Sequence, residues 1–186
     1  MKIIAGQYKG RNFYTPYDIR PTQNLVRKAF FDILGQDLPE MSFLDLFAGS
    51  GAMGLEAVSR GASLVVFVEN EPDRAVLIEK NIEIFGISLI ENVHRVQVIA
   101  ADAFATIKYL ASQQKKFDII FLDPPYDREL AKKALKTLNA YAIVHPNCIV
   151  AIQHARHEIL PESEGKFSRF REKKYGNTVL SFYKIT

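Results

Sequence analysis

The chain has 186 residues, 48% hydrophobic and 24% charged, a balance that suits one compact domain with a sizeable core and excludes a disordered or fibrous protein. A single cysteine excludes an intramolecular disulfide framework, no apolar run approaches the roughly 18 residues of a membrane span, and the amino terminus lacks a signal-peptide core, so a cytoplasmic monomer is expected. The net charge of +3 is modest but uneven: the first 28 residues carry six Lys or Arg against one acid, and residues 166–174 carry five against Glu172.

In chain order, Lys2 to Thr15, with Gly6 and Gly10 as turn signals, reads as a hairpin. Thr22 after Pro21 reads as the cap of a helix with an apolar stripe of Val26, Phe30, Ile33 and Leu34, ended by Gly35. A short buried strand is expected over 42–47, a helix over 52–60 closed by Gly61, a strand over 64–68, and a helix over 72–85 closed by Gly86. Strand 96–100, helix 103–112, strand 117–122 and helix 128–139 continue the alternation, which predicts a parallel sheet wrapped by helices. Cys148 to Gln153 is the next strand, and Cys148 reads as a packing residue because no basic or His partner stands beside it. Segments 166–174 and 178–185, joined through Tyr175-Gly176-Asn177, predict an antiparallel hairpin. No repeat or low-complexity linker interrupts the chain, which reads as a single domain with no second one. His94, His145, His154 and His157 form no metal constellation, and His154 with His157 reads as a strand-end surface pair.

Two motifs carry chemistry. Asp123-Pro124-Pro125-Tyr126 follows the apolar strand at 117–122, so the carboxylate emerges at the strand's carboxyl end, where open α/β sheets place ligands. The prolines fix φ and hold carboxylate, prolyl carbonyl and aromatic ring in one orientation, which suits a planar amine. The plain alternative is an ordinary strand-ending turn. The second motif is the loop Phe47-Ala48-Gly49-Ser50-Gly51 opening the helix that contains Gly54. Gly49 and Gly51 permit positive φ and close approach of a ligand to the main chain, and Gly54 permits tight packing of helix on strand. Glu69, followed by Asn70, ends the second strand where a carboxylate can accept from ribose hydroxyls. Asp102, before Ala103, can accept from an adenine amino group, cap the following helix, or do both. Asp45 argues against a pyrophosphate, because like charges in a partly dry cleft repel. A cationic sulfonium and ammonium beside an adenosine suit that acid, so the inferred cofactor is S-adenosyl-L-methionine. In the basic amino-terminal segment Tyr8, Phe13, Tyr14 and Tyr17 interleave with Lys9 and Arg11, a pattern that suits RNA phosphates and unstacked bases.

Taken together, Ile3 to Arg11, Arg20-Pro21-Thr22 with Val26-Arg27, Leu44 to Gly51 with Arg60-Gly61-Ala62, and Asp123 to Tyr126 resemble the RsmD family, bacterial enzymes that methylate guanine N2 in 16S ribosomal RNA. The resemblance implies a class I S-adenosylmethionine-dependent methyltransferase fold, α/β and Rossmann-like. It further implies a seven-stranded, mostly parallel sheet with its last strand antiparallel, preceded by an extension of hairpin and helix that bears on RNA. It also implies Asp123, Pro124, Pro125 and Tyr126 as the catalytic set and Lys9, Arg11, Arg20, Thr22 and Arg27 as RNA contacts. The implied partner is 16S rRNA in the small ribosomal subunit or an assembly intermediate. Asn24 and Lys28 stand where the family commonly has acids, as does Gln153. The same turn serves any planar amine, so adenine-N6 and protein-glutamine methylation are alternatives. A nicotinamide-dependent oxidoreductase using Gly49 to Gly54 and a non-catalytic RNA-binding module are more distant ones.

Overall fold

The computed structural model describes residues 1–15, 24–87, 95–126 and 129–186. Its elements are α1 (Asn24–Leu34), β1 (Ser42–Leu46), α2 (Ala52–Ser59), β2 (Leu64–Glu69), α3 (Pro72–Ile84), β3 (Arg95–Ala100), α4 (Ala103–Ser112), β4 (Phe117–Leu122), α5 (Leu130–Ala140), β5 (Val144–Ala155), β6 (Ser163–Glu164), β7 (Phe167–Tyr175) and β8 (Thr178–Ile185). The expected Thr22 cap, with Arg20 and Pro21, lies outside the described residues. No helix among the described residues is long and apolar enough to cross a membrane.

The strands form one sheet in the order β3-β2-β1-β4-β5-β8-β7-β6. β1 to β5 pair in parallel, and β8 inserts antiparallel between β5 and β7. The expected seven strands gain an eighth, the two-residue β6, which pairs with β7 at the sheet edge. The inner strands read as continuous apolar runs because both faces are covered. Phe43, Phe67, Phe121 and Phe182 pack under α1, α2 and α3, while Leu44, Val66, Ile120 and Ile152 pack against α4 and α5. From β1 the order runs one way through β2 and β3, and from β4 the other way through β5. The connections therefore diverge between β1 and β4, and their carboxyl ends border an open crevice.

The amino-terminal segment folds back on itself as the expected antiparallel hairpin, short and irregular, and it also docks on α2. Its arms meet at the bridge of Lys2 with Asn12 and are held by Ile3 N to Arg11 O at 3.0 Å, Phe13 N to Met1 O at 2.9 Å and the Met1 amino group to Phe13 O at 2.8 Å. The Ile4 and Ala5 amides donate to the Glu56 carboxylate at 2.9 Å each, Gln7 N donates to Ser59 O at 2.7 Å, and Tyr8 N donates to Ser59 Oγ at 3.0 Å. Amides that do not cross the hairpin, those of Ile4, Ala5, Gln7 and Tyr8, are the ones α2 takes. Gly6, at φ 82°, lies so close to the Ser59 backbone that a Cβ would overlap it.

Two expectations about polar side chains are overturned. Arg27, expected on the RNA face, is 0% exposed. Its Nε lies 3.6 Å from Glu56 Oε2, and its Nη2 donates to the Lys2 carbonyl at 2.6 Å and to Asn24 Oδ1 at 3.0 Å. Burial lowers its pKa while Glu56 opposes the shift, so the residue ties α1 and the amino terminus to α2. His154, expected at the surface, is buried, with Nε2 2.9 Å from Ser181 Oγ. Residue 154 faces β8 across the β5–β8 ladder, whereas His157 lies past the strand and is exposed.

Candidate active site

β1 ends at Leu46, and Phe47 turns the chain at φ 65°, a left-handed conformation uncommon for a bulky side chain and often kept for function. Gly49 (φ 57°) and Gly51 (φ 75°) complete the loop. Three bonds fix it: Ala48 N to Val68 O at 2.9 Å, Gly51 N to Ala48 O at 2.8 Å, and Gly49 N to Glu69 Oε2 at 2.7 Å. Glu69 Oε1 accepts from Glu71 N at 3.0 Å. Each carboxylate oxygen has two acceptor positions, so Glu69 braces the loop and can still accept from a ligand hydroxyl.

Gly54 seats α2 on the sheet, since an added Cβ would overlap the Phe67 ring. Its amide donates to Asp45 Oδ2 at 2.9 Å. Asp45 is 1% exposed, and burial pushes its carboxyl pKa well above the usual range. The Gly54 amide opposes that shift, while the negative charges of Asp123 and Glu69 add to it. Three acids therefore share one electrostatic environment, which disfavours an anionic ligand and favours a cationic one.

On the adjoining strand, β4 delivers a half-buried Asp123 and a buried Pro124, followed by exposed Pro125 and Tyr126. The Tyr126 ring is 37% exposed, which does not fit a core aromatic. Its hydroxyl is 3.3 Å from Thr178 Oγ1 and receives Gln153 Nε2 at 3.3 Å, so the ends of β5 and β8 tether the ring. Asp102 caps α4 by accepting from Ala105 N at 2.9 Å. Phe104, at the start of that helix, stands edge-on to Phe47 at 6.1 Å.

Both loops open into one cavity of about 570 Å³. Asp45, Phe47, Ala48, Gly49, Ser50, Glu69, Asn70, Asp102 and Ala103 line it together with Asp123, Pro124, Pro125 and Tyr126. Gly51 lies behind the loop, where an added Cβ would meet Ile78 at 3.2 Å. The volume is of the order of an ordinary small-molecule site, about 300–1,000 Å³.

Compared with known protein families, residues 1–184 match the one described as conserved hypothetical protein 95. The chain belongs to that family, the RsmD family. It is similar to the Ribosomal RNA small subunit methyltransferase D of Escherichia coli strain K12, at 30% identity over 190 residues, 98% of this chain and 89% of that protein. The RsmD-family protein of the same name from Buchnera aphidicola (Acyrthosiphon pisum) is 32% identical over 165 residues, 87% of this chain and 82% of that one. Among solved structures, a hypothetical protein of Thermus thermophilus aligns at TM-score 0.84 and 30% identity, over 100% of this chain and 99% of that chain.

Several cavity residues of this RsmD-family chain escape sequence reasoning: Val26, Met53, Phe104, Leu130, Gln153 and Thr178. Phe104 has a local signal, an aromatic after Asp102-Ala103. Val26 and Thr178 have none, because they arrive through the packing of α1 and the antiparallel return of β8. Lys9 and Arg11 are exposed, but their turn stands beside Ser59 and Phe85, where α2 and α3 end. Arg11 is partly engaged, donating to the Phe85 carbonyl at 3.2 Å with its guanidinium 5.6 Å from the Tyr8 ring centre. At about 1.5 Å per residue, the length of α2 separates that turn from the glycine loop by roughly 12 Å. The second basic cluster lies elsewhere: exposed Arg171, Lys173 and Lys174 precede the turn into Thr178, at the cavity's rim.

Proposed function

We propose that this protein transfers a methyl group from S-adenosylmethionine to the exocyclic N2 amine of a guanine in 16S ribosomal RNA, acting as a monomer on the small subunit or its assembly intermediate. The opening of the glycine loop and the Asp-Pro-Pro-Tyr turn into one cavity carries this reading. The small-subunit methyltransferase names of its relatives support the RNA class.

The residues present fit the cofactor. Glu69 offers acceptor positions for ribose hydroxyls, Asp102 and Phe104 border a slot for adenine, and the acids Asp45, Glu69 and Asp123 favour a cation. When bound, S-adenosylmethionine supplies a methyl group made electrophilic by its sulfonium. The amine is a poor nucleophile because its lone pair is delocalised into the ring. Asp123 and the Pro124 carbonyl accept its two N–H hydrogens and favour a more pyramidal nitrogen, freeing the lone pair to form the new N–C bond. The methylated nitrogen is cationic and strongly acidic, so its proton passes to Asp123 or water without a base of raised pKa. Tyr126 stacks on the base, a contact worth roughly 1–3 kcal/mol in comparable sites. The extension over residues 1–35 and the core over 42–186 act as one domain.

Asp123→Ala tests the reading. With labelled methyl donor and unmethylated small-subunit RNA, transfer is expected to fall by roughly 10²–10⁴, with cofactor affinity retained. Unchanged transfer would end the role of Asp123. Offering the same donor with DNA and with protein separates adenine-N6 and glutamine methylation, and stabilisation by NAD without stabilisation by S-adenosylmethionine would favour an oxidoreductase.

A further inference from the structure

Gln153, at the carboxyl end of β5, is 7% exposed and lines the cavity with Tyr126 and Thr178. Its Nε2 donates to the Tyr126 hydroxyl at 3.3 Å, while its Oε1 is buried with no hydrogen-bond partner. Turning the amide over exchanges the two atoms but still leaves one of them unpaired. A buried amide oxygen without a donor is costly, and an apolar residue of similar size would avoid the cost. The residue lines a ligand cavity while this oxygen is turned out of water's reach, so a ligand that draws the amide toward the cavity is the partner the site offers it.

We propose that Gln153 is a specificity residue that accepts the ring N1–H of the target guanine at Oε1 while Tyr126 holds its Nε2. The inference rests on the guanine reading above and adds how the base is selected. Guanine carries a ring N–H donor beside its exocyclic amine. 2-Aminopurine carries the same amine beside a bare ring nitrogen, which is an acceptor. With the Tyr126 hydroxyl donating to Thr178 Oγ1 and accepting from Nε2, Oε1 is the atom left for the base, and because two facing acceptors repel, that orientation favours guanine. The Tyr126 hydroxyl joins the two functions, because the ring that stacks on the base is bonded to the amide that reads its edge.

The test uses the full-length enzyme and small-subunit RNA fragments carrying guanine or 2-aminopurine at the methylated position, with kcat and KM measured separately. Wild type is expected to prefer guanine by about tenfold or more. Gln153→Leu should lower kcat/KM on guanine by a similar factor, treat the two bases alike, and bind cofactor within about twofold of wild type. Gln153→Glu keeps the acceptor and should keep the preference, and Gln153→Met replaces the Leu variant if that one fails to fold. Retained selectivity in the Leu or Met variant, or equal use of both bases by wild type, would overturn the assignment of Gln153 and leave the guanine reading intact. Transfer to neither base by wild type would overturn both.

Discussion

Replacing Glu56 by Gln removes one charge from a buried carboxylate that holds Ile4, Ala5, Arg27 and Arg60, with almost no change in volume. The carboxylate is fully buried and faces two guanidiniums, Arg60 at 3.0 Å and Arg27 at 3.6 Å. It also accepts the Ile4 and Ala5 amides at 2.9 Å each. In the variant one acceptor oxygen becomes an NH₂ aimed at donors, and both cations lose their counter-charge. Breaking a buried pair from one side costs about 3–5 kcal/mol, because an uncompensated charge stays in the interior. For a chain of this size each kcal/mol moves Tm by about 2–4 °C, so a fall of roughly 6–20 °C is expected. Urea titration and thermal melts measure the loss, and hydrogen exchange at the Ile4 and Ala5 amides reports the release of the amino-terminal segment. A loss below about 1 kcal/mol, with those amides still protected, would refute the claim that Glu56 clamps the extension to the core.

Gly54→Ala drives a Cβ into the Phe67 ring and should cost about 1–3 kcal/mol in urea midpoint analysis, while weakening cofactor binding by lifting α2 off Asp45. Asp45 makes the free protein pH-dependent: with its folded pKa raised above the ordinary 3.8, the native state holds a proton that the unfolded chain releases. Stability therefore declines as pH rises from 3.8 to the folded value, and affinity for a cationic ligand rises over the same window as Asp45 ionises. Asp45→Asn should flatten both profiles in melts and calorimetry. Neutralising Lys9 with Arg11 is expected to flatten the salt dependence of RNA binding by about one unit per lost phosphate contact. An unaltered slope, with flattening in an Arg171 and Lys173 double variant, would move the RNA surface to the end of β7.

The elements themselves were legible in the sequence. Buried strands such as Ser42–Leu46 and Phe117–Leu122 announce themselves as apolar runs, and glycines mark where helices stop. The meeting of the two motif loops also follows from the alternation of elements, because a doubly wound sheet brings the carboxyl ends of β1 and β4 side by side. What the chain could not disclose by itself was the fate of individual polar groups. Arg27 and Lys9 are both cations in one basic segment, yet one meets Glu56 in the interior and the other faces water. His154 looked superficial until β8 returned beside it, and Gln153 reaches the cavity because β5 pairs with β4 one residue before Asp123. Hydrophobic period and turn chemistry act between near neighbours and are written locally. A charge or an amide acquires its meaning from the partner opposite it, and that partner is brought there only when distant strands and helices pack.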